Sequence, residues 1–225
     1  MREFLILKLQ GPMQAWGEHT FEGFRPSANI PTKSGVLGLL GACLGIGRTE
    51  FDRLQQLADS IGMAVRLDQK VRKTEDKDGS LRIVKITDYH TIKEARVEYV
   101  GLKSHETIQT WREYLLDAQF TVAIWFHRES TITIDELERR IKHPLFTPYL
   151  GRRSCPLARP LFENRLFSLN AQSALQGIAP HKGTVYSEDE GSDRMMRVRD
   201  VPLVRQPRQF ASRNLYIYGG EYVPE

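Results

Sequence analysis

The chain has little cysteine and no metal-like spacing. Only Cys43 and Cys155 are present, far apart, and neither falls in a CxxC pair. The six histidines stand at 19, 90, 105, 127, 143 and 181, with no HxxxH pair. A structural or catalytic zinc site is therefore not expected. Disulfide stapling is not expected either, which fits a reducing compartment. No long apolar run exists. The least polar stretch, 35–47, is short of the roughly 20 residues a membrane helix needs. The opening MREFLILKLQG is broken by Lys8 and has no small-residue cleavage site, so it does not read as a signal peptide. GxSxG, GxGxxG, the Walker pattern GxxxxGK[ST] and paired-carboxylate motifs are all missing. The expectation is a cytoplasmic protein with no membrane partner, no metal and no cofactor.

What is present suits a globular chain. There are 225 residues, 40% of them hydrophobic and 27% charged, with a formal net charge of +4 and a pI near 9.1. The basic excess is modest, so its distribution matters more than its size. Residues 3–9 (EFLILKL) read as a buried strand. A long irregular loop follows, with Trp16, Phe21 and Phe24 in it. A helix is predicted from about Ser34, capped by Thr32 or Ser34. A second is predicted over 50–60, then a strand over 63–71. Residues 72–117 read as a long charged hairpin or arm, turning around Gly79. A strand over 119–127, a helix over 134–142 and a short strand after TPYLGRRSCPLARP resume the core. A weak helical signal lies at 171–175, an acidic loop at 187–193, and strands near 194–205 and 213–218. The order strand, helix, strand, arm, strand, helix, strand is that of a ferredoxin-like or RRM-like α+β domain. The expected division is a core over 1–160, including the arm at 72–117, and a C-terminal β-rich region over 161–225 packed on it.

Three features suggest binding chemistry. The helix start at Thr32, Lys33 and Ser34 offers backbone N–H groups, hydroxyls and an ammonium to a phosphate. It reads equally as an ordinary capped helix. Glycines at 35, 38, 41 and 45 fall within about 120° of one helix face. Close backbone packing against that face is expected, and with it a disruptive Gly38→Leu. Finally, basic clusters interleave with aromatics. One holds Tyr149, Arg152, Arg153 and Arg159. The tail RMMRVRDVPLVRQPRQFASR carries six arginines against one aspartate, with Arg208 beside Phe210. Arginine neutralises phosphate and aromatic rings stack on splayed bases, which points to single-stranded RNA. Lys103 and His105, with Tyr89, His90 or Tyr99, form only a weak candidate set for general acid–base cleavage of RNA without metal.

The segments LQGPMQAWGEHTFEGFRP, PTKSGVLGLLGACLGI, DYHTI, GLKSHETIQTWREYL, TPYLGRRSCPL and PRQFASR, in this order, closely resemble the CRISPR-associated CasD family of subtype I-E Cascade, in the RAMP superfamily. The resemblance spans essentially the whole chain. It implies a modified RRM fold with a protruding β-hairpin thumb and a small C-terminal β region. It also implies a non-catalytic antiviral-defence subunit that caps the foot of the complex and holds the 5′ handle of the CRISPR RNA. The backbone subunit CasC and the large subunit CasA would be its neighbours, and target DNA would be met through the assembled complex. A relative in subtype I-C is a metal-independent endoribonuclease, using a Tyr, Lys and His set with adjacent Lys and His. Here Lys103-Ser104-His105 departs from that pair, so cleavage of repeat RNA is the alternative. The expected RNA contacts are phosphate ligands at Arg25, Lys33, Arg152, Arg153 and Arg208, hydroxyl or backbone donors at Thr32 and Ser34, rings at Trp16, Tyr149 and Phe210, and a base-edge contact from Gln14.

Overall fold

The computed structural model describes residues 1–18, 20, 23–69, 71–74, 77–80, 83–93, 107–126, 130–206 and 209–219. Strand β1 (Arg2–Gln10) is buried without interruption from Phe4 to Leu9. A strand so apolar on both sides needs cover on both faces of its sheet. The expected irregular loop follows, and its described residues hold four two-residue strands: β2 (Met13–Gln14), β3 (Trp16–Gly17), β4 (Phe24–Arg25) and β5 (Ser27–Ala28). Helix α1 (Lys33–Leu44) starts at Thr32, whose hydroxyl accepts from the Gly35 N–H. It ends at Gly45, whose φ of 69° is the left-handed cap that glycine adopts without strain. Helix α2 (Phe51–Ser60) leads straight into β6 (Ile61–Asp68).

Next come a small hairpin, β7 (Val71–Thr74) with β8 (Lys77–Ser80), and a long one, β9 (Val84–Ile92) with β10 (Ile108–Leu116). Gly79, expected at the turn, lies inside β8. Strand β9 is exposed at nearly every position. Then follow β11 (Gln119–Phe126), α3 (Ile134–Lys142), β12 (Phe162–Ser168), α4 (Ala171–Gln176), β13 (Gly183–Ser187), β14 (Met195–Pro202) and β15 (Phe210–Tyr218). Among these, β13 falls where the sequence shows no strand.

Seven strands form one antiparallel sheet in the order β12-β1-β11-β6-β13-β15-β14. The C-terminal strands continue the core sheet edge to edge, with β12 on β1 and β13 on β6. On one face, Leu5, Leu7 and Leu9 pack with Leu40 of α1, Leu57 of α2 and Leu137 of α3. On the other, Phe4, Ile6 and Trp125 pack beneath Ala171, Ala174 and Leu175 of α4. Each such large side chain contributes about 1.5–3 kcal/mol on burial. Helix α4 therefore covers the face that an open RRM-like sheet would offer to bases. Beneath it, buried Arg66 donates to the carbonyls of Leu175, Ile178 and Ala179, and pairs with Asp68 at 2.7 Å. Lys8 joins Asp68 at 3.0 Å. A second sheet runs β2-β10-β4, with β9 on the opposite side of β10.

Candidate nucleic-acid interface

The N-terminus of α1 has a free-standing logic as an anion site, but this chain fills it from within. The Lys33 N–H donates to Asp200 of β14 at 2.7 Å. Lys33 Nζ lies 3.0 Å from Glu188. Arg213 of β15 closes the group, donating to both Asp200 oxygens at 2.7 Å and to Glu188 at 2.7 Å. Burial pushes the Arg213 guanidinium towards deprotonation, yet the bonds to Asp200 and Glu188 outweigh it and hold its pKa above the usual value. Lys33 and Thr32 are buried, and the Thr32 hydroxyl is used by Gly35. Half-buried Ser34 donates to Thr32 at 3.4 Å. An Asp200 carboxylate thus stands at the helix start where Thr32, Lys33 and Ser34 are expected to meet a phosphate.

Gln14 and Trp16, expected at a base edge and in a stacking role, are both fully buried. The Gln14 amide donates to Leu9 and Ala118 carbonyls at 3.2 and 2.7 Å, and its oxygen accepts from the Trp16 indole at 3.1 Å. These bonds engage the polar atoms of both side chains within the fold. The indole lies against α1 at Gly35, where an added Cβ would stand 2.8 Å from the ring. This is the close approach the glycine pattern predicts. It does not extend along the face: a Cβ at Gly38 meets nothing within 4 Å, so Gly38→Leu is not expected to disrupt packing.

The arginine loop docks beside this buried pair. The Leu150 carbonyl accepts from the Ala15 N–H at 3.1 Å, and Leu150 and Cys155 close a tight turn between them. Arg152 reaches back to two carbonyls, Glu113 on β10 and Arg25 on β4, each at 3.0 Å. Its guanidinium also covers the Tyr114 ring at 4.7 Å. Arg152 thus clamps the parallel β4–β10 pair. Arg153, next to it, is exposed, and Tyr149 and Arg25 are half-buried. The structure brings Arg25, Tyr149, Arg152 and Arg153 to one loop cluster. Phe210 lies elsewhere, at the start of β15, where its carbonyl accepts from Arg199 at 2.8 Å. Arg208 lies outside the described residues.

Two alignments emerge from the strand register. Arg197 and Arg199 point to the same exposed side of β14, level with Asn214 and Ser212 on β15. Period-two spacing in RVR is the signal that could have found them. Phe24, Trp111 and Tyr89 stand in register across β4, β10 and β9. Only the partner register, not local pattern, aligns them.

Of the candidate cleavage set, Tyr99, Lys103 and His105 lie outside the described residues. His90 Nε2 is 2.7 Å from Asp88 and 3.5 Å from the Tyr114 hydroxyl. Among the described residues no group of three His, Cys, Asp or Glu side chains could hold a metal ion. No helix of the described chain is long and apolar enough to cross a membrane.

Comparison with known proteins agrees over nearly the full length. The curated CRISPR system Cascade subunit CasD of Escherichia coli (strain K12) is 51% identical over 222 residues, covering 98% of this chain and 97% of that protein. A solved structure described as a CRISPR RNA-guided surveillance complex contains a chain similar to this one, with a TM-score of 0.71 and 25% identity, covering 96% of this chain and 89% of that one. A crystal structure of a Cas protein gives a TM-score of 0.62 at 27% identity, covering 96% and 92%. The model of the CRISPR-associated protein (Cas_Cas5) family matches residues 4–216. With this match and a close relative along its whole length, the chain belongs to the CRISPR-associated protein (Cas_Cas5) family.

Proposed function

We propose that this chain is a non-catalytic, RNA-holding subunit of a CRISPR RNA-guided surveillance complex. Its role would be that of CasD in subtype I-E Cascade: anchoring the 5′ handle of the CRISPR RNA and capping the foot of the complex in antiviral defence. The observation that carries the reading is the 51% identity to a Cascade CasD subunit over 98% of the chain. The β1, α1, β6, β11, α3, β12 order with β12-β1-β11-β6 adjacency supports reading the core as ferredoxin-like, a modified RRM of the RAMP type. The β9–β10 hairpin would be its thumb.

Under this reading the labour is divided. Gln14, Trp16, Thr32, Lys33, Ser34 and Arg152 brace the loops. Exposed Arg153, with Arg25 and Tyr149 beside it, would meet handle phosphates and bases, with Arg208 contributing from outside the described residues. Arg197, Arg199 and Phe210 would extend the basic surface along the sheet. The hairpin would pack on the backbone subunit CasC, another face would meet CasA, and target DNA would be engaged through the assembled, cytoplasmic complex. Guide pairing would read the foreign sequence, so this subunit needs only the fixed handle.

Arg153→Glu tests the reading in the assembled complex. RNA occupancy should fall sharply while the melting temperature of the subunit stays unchanged. Unchanged RNA occupancy would remove Arg153 from the interface. The cleavage alternative has no observation favouring it: the Lys103-Ser104-His105 spacing departs from the adjacent pair of the nuclease relatives.

A further inference from the structure

Three rings are left over when the buried supports are accounted for. Tyr89, Trp111 and Phe24 are register partners on β9, β10 and β4, so their side chains leave the same face of the second sheet. They are 50%, 44% and 45% exposed. The Tyr89 and Trp111 ring centroids are 5.5 Å apart. Gly23 sits under the row, where a Cβ would come within 3.6 Å of the Trp111 ring.

Among the described residues, the rest of this face is polar or closed. By strand alternation, Thr87, Thr91 and Gln109 flank the rings, and all three are exposed. Leu115 shares the face but is fully buried. The aliphatic residues of β9, Val84, Ile86 and Ile92, leave the opposite face. The charges on the aromatic face, Lys85 and Glu113, lie 3.7 Å apart and offset each other. Among the described residues, an aliphatic protein partner would find no continuous greasy surface here. Three half-open rings among threonine and glutamine side chains offer flat stacking surfaces with hydrogen-bonding groups at their margin. That is the chemistry of an unpaired nucleobase, which stacks on any aromatic face and reads poorly by charge.

We propose that Tyr89, Trp111 and Phe24 form a stacking platform for unpaired bases of single-stranded RNA. The proposal rests on the RNA-holding reading above and gives it a second, base-dependent component. The arginines at the root of the hairpin lie on the other side: Arg25 and Arg112 pair one residue further on, and Arg152 covers Tyr114 there. Phosphate capture and base stacking are therefore separable. The first weakens with salt, and the second does not.

The fluorescence of Trp111 tests this directly. Of the three tryptophans, Trp16 and Trp125 are 0% and 3% exposed, so Trp111 alone is open to solvent. The full chain is titrated with single-stranded CRISPR repeat RNA and with an abasic oligonucleotide of equal length. The platform predicts quenching by the first and not by the second. It also predicts that Trp111→Ala and Tyr89→Ala each weaken RNA binding about tenfold, with the salt slope unchanged, while Trp111→Phe keeps most of the affinity. Equal quenching by the abasic strand, or wild-type affinity in Trp111→Ala, would overturn it. If Trp111→Ala keeps RNA but loses a neighbouring subunit from the assembled complex, the row is a protein interface and the proposal fails. If Arg153→Glu loses RNA while Trp111→Ala does not, only the platform falls. If the wild-type chain binds no RNA in isolation or in the complex, the RNA-holding reading falls with it.

Discussion

Asp200 accepts a hydrogen bond from the backbone N–H of Lys33 at 2.7 Å, so a carboxylate from β14 occupies the N-terminus of α1. The contact joins the C-terminal strands to the first helix across 167 positions of sequence. A helix start rich in donors is thereby a joint of the fold.

Removing Asp200 should therefore cost stability. Asp200→Ala leaves buried Arg213 with Glu188 alone and frees the helix end, a loss of about 3–5 kcal/mol by the usual cost of breaking a buried pair. Asp200→Asn should cost less. Urea unfolding measures both, and inorganic phosphate should restore part of the loss in the alanine variant by entering the vacated helix end. An unchanged unfolding midpoint in Asp200→Ala would contradict this role.

Gly35 and Gly38 should respond in opposite directions. Gly35→Ala drives a Cβ to 2.8 Å from the Trp16 ring, which is itself pinned through Gln14. Overpacking of this kind costs about 1–3 kcal/mol. Gly38→Ala enters open space on a helix and should be neutral or stabilising by up to about 1 kcal/mol. Thermal melts of the two variants, side by side, decide the matter.

Arg152 and Arg153 should separate stability from binding. Arg152→Ala loses two bonds to carbonyls and the contact over Tyr114, so its melting temperature should fall by several degrees. Arg153→Glu should melt like the wild type. Reversing both charges together would confuse the two effects.

The cysteines should be silent. Burial pushes the Cys43 thiol up to about 12 from an ordinary 9.0, and burial also raises Cys155. Both stay protonated at neutral pH, and native protein should resist alkylation until unfolded. Between pH 9.0 and about 12 the unfolded chain releases the Cys43 proton and the folded chain does not. The stability contributed by this group is whole below that window and is lost as pH rises through it.

The core was legible because its signals are local. β1 and β11 are nearly continuous apolar runs, and α3 shows Thr133, an acidic first turn and buried Leu137 and Ile141 at helical spacing. β13 shows no such signal: Val185 is its one buried apolar residue, in a polar stretch. Its strand state comes from pairing with β6 and β15. The site was harder to read for the same reason. Gln14 and Trp16 look like ligands because polar and aromatic residues in a loop usually face outward. Their burial depends on Gly35 and on the loop around Leu150, neither of which is adjacent in sequence. In the arginine-rich tail, the single aspartate was the least conspicuous residue, yet Asp200 sets the joint to α1. Side-chain type was legible, whereas orientation required the register of distant strands.

The role proposed for this chain is to hold CRISPR RNA without cutting it. Purified full-length protein, incubated with labelled repeat RNA in EDTA, tests this on a denaturing gel and in a parallel binding titration. Intact RNA, bound with an affinity that falls as salt rises, is the expected result. A discrete cleavage product, or no binding at any salt concentration, would contradict it.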